Sequence, residues 1–216
     1  MGSAHGGKTD ERTTHNVTIS RPFCMGAYEI TVEEWDAVMG DGRPPEVRRE
    51  QLMPKVSVTW EEAQQFVERL NERYPDRHFF LPTEAQWEYA ARAGSAARYS
   101  FGDDASNLYL YANCRGKEGH LGGYNGLAPI GKFRPNQWQL YDMQGNVEEW
   151  VADFYGIYDE ASSVDPTGPA MGDRRVYRGG SFMSAPDSCS VTHRASLTPD
   201  TRRKNLGFRI AADPVR

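Results

Sequence analysis

The sequence predicts an α+β domain in which a few helices pack on a small, twisted antiparallel sheet, with long stretches of ordered loop between them. Three observations carry this expectation. Three Thr-led capping boxes each open a segment with helical apolar spacing. The helical period then ends at Gly94, and the rest of the chain strings short apolar pieces between Gly, Pro, Asn and Asp. Gly at 21 and Pro at 13 in 216 residues favour irregular backbone over long helices or a regular barrel.

The elements follow in order. Thr31-Val32-Glu33-Glu34 opens a helix that ends near Met39-Gly40. Thr59-Trp60-Glu61-Glu62 opens a second, running to about Arg73, with Trp60, Ala63, Phe66, Val67 and Leu70 on one face. Thr83-Glu84-Ala85-Gln86 opens a third, holding Trp87, Ala90 and Ala91 and closing at Gly94. Residues 95 to 140 read as ordered loop. Val147 to Phe154, Arg175 to Phe182 and Leu206 to Ala211 read as strands. No internal repeat or linker divides the chain, so residues 1–216 form a single domain. The abrupt Met1-Gly2-Ser3 start implies an upstream segment.

Composition narrows the function classes. Five Trp, eleven Tyr and nine Phe supply enough burial to argue against disorder. The net charge of −5, without a long basic run, gives no electrostatic case for nucleic acid. Nothing approaches the roughly 20 apolar residues that membrane insertion needs, and the start lacks a signal-peptide pattern, leaving the compartment unassigned. Cys24, Cys114 and Cys189 are an odd count without metal or disulfide spacing, so each is read as a small buried hydrophobe.

Four segments in fixed order carry a family pattern. They are Val56–Ala63, Leu81–Arg92, Leu140–Trp150, and the pair Arg178-Gly179-Gly180-Ser181-Phe182 and Leu206-Gly207-Phe208-Arg209. Together they resemble the formylglycine-generating-enzyme, or sulfatase-modifying-factor, family over nearly the whole chain. The resemblance implies an irregular C-type-lectin-like fold.

Read from its residues alone, Asp142 to Glu149 is open to two accounts. Asp142 and Glu149 could give carboxylates and Gly145 and Val147 carbonyls to calcium, which takes hard oxygen ligands. Otherwise it is a turn whose acids face solvent or cap amides. The resemblance implies the first: a structural Ca2+ held by Asp142, Gly145, Val147 and Glu149. A weaker second site maps onto Asn113, Cys114 and Tyr124, with Gly122 where the family carries an acid.

The resemblance also implies a catalytic copper(I) site of two cysteines five residues apart after Gly-Gly-Ser-Phe. Here those positions hold Ser184 and Cys189. A serine hydroxyl stays protonated near neutral pH and is a poor ligand for a soft ion, so copper is not expected. No confident catalytic residue remains, and Cys189 is read as a structural thiol. The five histidines show no i, i+4 pairing and no triad spacing.

Two functional readings follow. The first is a ligand-binding module for a protein or peptide, with a glycan as a further class. Its candidate residues are Ser184, Asp187, Ser190, Thr192, His193, Ala195 and Leu197; in some relatives this stretch is diversified. The alternative is a divergent metal-dependent oxidoreductase of the formylglycine-generating type.

Overall fold

In the computed structural model, residues 1–3, 13–40, 52–116, 119–158, 161 and 163–215 are described. The strands are β1 (Val17–Thr18), β2 (Cys24–Met25), β3 (Phe79–Phe80), β4 (Cys114–Gly116), β5 (Gly119–Leu121), β6 (Glu148–Phe154), β7 (Ser163–Val164), β8 (Arg175–Arg178), β9 (Arg194–Leu197), β10 (Leu206–Phe208) and β11 (Ala211–Ala212). The helices are α1 (Val32–Met39), α2 (Trp60–Arg73) and α3 (Glu84–Arg92), with 3-10 turns at Ala105–Leu110 and Pro186–Cys189.

All three capping boxes form as the sequence predicts. The hydroxyls of Thr31, Thr59 and Thr83 accept from the amides of Glu34, Glu62 and Gln86 at 3.1–3.2 Å. The same three side chains reach back to the threonine amides at 2.8, 3.0 and 2.9 Å. Each cap contributes about 1 kcal/mol to a helix too short to form alone.

The main sheet has the order β10-β6-β8-β9. It corrects the expectation of an antiparallel sheet, because β10 runs parallel to β6 while β6, β8 and β9 alternate. The expected strand Arg175 to Phe182 also ends early, at Arg178. Gly179 and Gly180 follow at φ +91° and +69°, a backbone that L side chains rarely adopt, and they turn the chain out of the sheet.

Both faces of this sheet are covered, so the successive β6 residues Trp150 and Val151, which point to opposite faces, are both fully buried. Trp150 packs with Phe66, Val67, Leu70 and Phe208 on the α2 side. Its neighbour Val151 packs with Trp87, Ala90, Ala91 and Val176 on the α3 side. A third cluster gathers Tyr99, Leu108, Ala112, Cys114 and Cys189 in the loop region.

Buried arginines tie the layers. Arg178 on β8, fully buried, reaches Glu88 at 2.6 Å and Glu84 at 3.2 Å on α3, and donates to the carbonyls of Val191 and Thr192. Arg194 on β9 grips Glu84 through Nε at 2.8 Å and Nη2 at 2.7 Å. Charges this deep persist only when paired and hydrogen-bonded, as these are. No described helix is long and apolar enough to cross a membrane.

Candidate functional site

The Asp142 to Glu149 loop runs into β6 from Leu140, and both Leu140 and Met143 pack in the α3-side cluster. Gly145 sits at φ +84°, and a Cβ there would stand 2.5 Å from the Asn113 carbonyl oxygen. Its amide donates to the Gly179 carbonyl at 2.8 Å, and the Asn146 amide to that of Asn113 at 2.8 Å. The loop is therefore clasped between the Asn113-Cys114 segment and the glycine pair after β8.

Three buried carboxylates meet one guanidinium around this loop. Arg209 donates to Glu149 Oε1 at 2.6 Å and Oε2 at 2.7 Å, and Trp87 Nε1 donates to Oε2 at 2.7 Å. Asp142 Oδ2 accepts from the Gly131 amide at 2.8 Å, and Glu29 Oε1 accepts from Asn146 Nδ2 at 3.1 Å. Asp142 Oδ1 and Glu29 Oε2 are buried without a hydrogen-bond partner. Burial, opposed by the Gly131 amide and by Arg209, pushes the Asp142 carboxyl up to about 6. Burial and then the Asp142 charge push Glu29 well above the usual carboxylate range.

This donor set suits a hard cation in part. Uncommitted carboxylate oxygens and an excess of negative over positive charge call for one. Glu149, though, already has both oxygens engaged. Among the described residues no three His, Cys, Asp or Glu side chains are grouped so as to hold a metal, so backbone carbonyls would have to complete the shell. Glu29 escaped the sequence reading: only its place between Tyr28 and Ile30, just before the Thr31 cap, hinted at burial.

The second calcium segment is less suited. Asn113 is fully buried with Oδ1 unpartnered, which favours a ligand there. At Gly122, where an acid would be needed, a Cβ would lie 2.5 Å from the Phe133 ring. The aromatic ring occupies the space that the missing carboxylate would take.

The serine–cysteine pair brings a correction. Cys189 is joined to Cys114 as a disulfide, across 75 residues, so neither is the isolated buried thiol expected; Cys24 is free and exposed. Ser184 Oγ accepts from the Ser181 amide at 3.0 Å and lies 3.2 Å from Ser181 Oγ, which accepts from Asn205 Nδ2 at 2.9 Å. With a hydroxyl at 184 and the sulfur of Cys189 bonded elsewhere, these residues do not fit the two-thiolate copper arrangement.

The expected ligand residues divide. Ser190, Thr192 and His193 are buried, at 3, 5 and 7% exposure, so their side chains offer little surface to a ligand. Ser184 is half-buried, and Asp187 is largely exposed and paired with Arg98 at 2.7 Å. Ala195 and Leu197 lie partly exposed on β9, an edge strand, with their inner surfaces against the core.

A loop-rich mixed α+β domain built on these motifs defines the C-type-lectin-like class. The chain belongs to the family described as the sulfatase-modifying factor enzyme 1-like domain, which matches residues 1–214. It is 38% identical over 177 residues to the formylglycine-generating enzyme of Streptomyces coelicolor, covering 74% of this chain and 52% of that enzyme. It is 34% identical over 182 residues to the inactive C-alpha-formylglycine-generating enzyme 2 of Mus musculus, covering 79% and 52%. Among solved structures it superposes on Treponema denticola variable protein 1 with a TM-score of 0.80 at 30% identity, covering 93% and 87%. The chain thus spans about half the length of these curated relatives, and the family contains both enzymes and members described as inactive or variable.

Proposed function

We propose that this chain is a ligand-recognition module for a protein or peptide, and that it lacks the oxygen-activating copper chemistry of the catalytic members. One observation carries this reading: Cys189 is bonded to Cys114 while position 184 holds a serine engaged with Ser181. The accessible recognition surface is the segment from the exposed Met183 through Ser184 to Asp187, with Ala195 and Leu197 on the adjoining edge strand. Loops fixed by a rigid core are where recognition side chains sit. The similarity to a variable protein supports the same reading.

We also propose a structural Ca2+ at Asp142, with Glu149 and the Gly145 and Val147 carbonyls. The unpartnered Asp142 Oδ1 and the buried negative charge around it support this. The ion would hold the loop in place and take no part in chemistry.

Copper(I) titration of the chain with its Cys114–Cys189 bond intact, paired with oxygen uptake on a Cys-x-Pro-x-Arg peptide, tests the first reading. Neither stoichiometric tight binding nor uptake is expected. Tight binding that is lost in Cys189→Ala, together with uptake, would establish the oxidoreductase alternative.

A further inference from the structure

A groove of about 440 Å3 lies between the extended segment Ile19 to Phe23 and the outer face of α3, away from the Ser184 loop. Buried Ala90 and Leu140 form its base. Its walls are rings: Tyr89 and Trp138, 50% and 44% exposed, stand 4.9 Å apart at 60°, and Phe23 stands 6.5 Å from Tyr89 at 52°. Rings so tilted do not cover one another's faces, and they leave wedge-shaped slots between them.

Trp138 is held in place by the fold. Buried Asn136 accepts from the amides of Trp138 at 3.0 Å and Leu140 at 3.2 Å, and donates to the carbonyls of Ala90 and Ala91. Between them Gln139 takes φ +61°, a left-handed backbone that a non-glycine residue adopts at a cost. A strained turn clamped by a buried amide fixes the backbone that carries this indole beside Tyr89.

The groove is also rich in unused donors. Among the described residues, the Trp138 indole N–H and the Tyr89 hydroxyl make no hydrogen bond, and neither do the backbone groups of Arg21 and Phe23. Arg21 is the charged side chain of the lining; it is exposed and lies within electrostatic reach of Asp165, whose carboxyl is held low by Ser20 and, more weakly, by Arg21.

We propose that this groove binds a proline-containing peptide in the polyproline II conformation with an acidic residue beside its prolines. Such a helix makes no internal hydrogen bonds, so its carbonyls point outward and seek donors, which Trp138, Tyr89 and the open backbone supply. Its pyrrolidine rings are compact apolar plates that fit slots between tilted aromatic faces. An adjacent carboxylate pairs with Arg21. This site is separate from the recognition face proposed above and does not depend on it.

The test is calorimetric titration of the full chain with a synthetic nonapeptide of three Pro-Pro-Glu repeats. Saturable binding is expected, weakened about tenfold or more by Trp138→Ala, a ring at the centre of the contact. Arg21→Glu should weaken the acidic peptide about tenfold while a Pro-Pro-Gln counterpart binds as before. Ser184→Ala, outside the groove lining, should leave both affinities unchanged. Binding indifferent to Trp138→Ala overturns the proposal, as does equal binding of a flexible Gly-Ser-Glu nonapeptide. Trp138-dependent binding of a gluco-oligosaccharide with none of the peptide would assign the groove to sugars instead.

Discussion

Arg209 holds Glu149 through both carboxylate oxygens, at 2.6 and 2.7 Å, with neither side chain exposed. Trp87 donates to the same carboxylate, so the segments containing α3, β6 and the end of β10 meet at one buried anion. Three sequence motifs that stand far apart are thus one physical unit.

Removing one partner of such a pair leaves an uncompensated charge in a dry core. Arg209→Met should cost about 3–5 kcal/mol, and Trp87→Phe, which deletes one charge-assisted hydrogen bond, about 1.5–3 kcal/mol. Denaturant midpoints read both. Equal losses would show that Trp87 counts through more than its hydrogen bond.

The Cys114–Cys189 bond closes a loop of 75 residues and ties the Ser184 segment to β4. Reduction, or Cys189→Ser, should lower stability by about 2–5 kcal/mol. Before reduction the folded chain should show a single reactive thiol, Cys24, and non-reducing peptide mapping should recover the 114–189 pair. Three reactive thiols under native oxidising conditions would refute the bond.

Helix starts were legible because a capping box is local: Thr, two intervening residues and an acid or amide decide it. The parallel pairing of β10 with β6 was not, because Leu206 and Glu148 are matched by the fold between them and by no sequence period. The disulfide was hidden for the same reason, since spacing says nothing about two cysteines brought together by separate loops. The Asp142 to Glu149 segment stands out in the sequence by its acids and glycine, whereas Glu29 does not, because its carboxylate enters the cluster from a different part of the chain. Burial of Ser190, Thr192 and His193 also went unseen, since short polar residues give no periodic signal of facing inward.

Calcium should change how stability depends on pH. Without the ion, burial raises Asp142 to about 6, so the folded state holds its proton more tightly than the unfolded state does. The stability this carboxyl contributes is therefore full below about pH 4 and is lost as pH rises toward 6, a difference on the order of 3 kcal/mol. Calcium favours the ionised form and should offset that loss. Chelation is then expected to lower Tm more at pH 7.5 than at pH 4.5, and Asp142→Asn should abolish the response. A chelator without effect on a calcium-loaded sample at either pH would remove the ion from the account.

Asp153 on β6 gives a second pH dependence, independent of any metal. Its Oδ2 accepts from the Glu84 amide at the start of α3 at 2.7 Å, and it is 4% exposed. Burial first, and then the negative charge of Glu84, push its carboxyl up to about 7, against the opposing pull of the Glu84 amide, Arg194 and Arg178. Because the folded value lies above the unfolded one, its stabilising contribution is present below about pH 4 and disappears as pH climbs to 7. The shift of roughly three units corresponds to about 4 kcal/mol. Asparagine is a neutral isostere that can still accept from the Glu84 amide. Asp153→Asn should match the parent near pH 4 and exceed it in stability at pH 8, so removing a buried charge strengthens the fold. Parallel stability curves for the two proteins from pH 4 to pH 8 would mean that Asp153 is ionised throughout and that the arginines outweigh its burial.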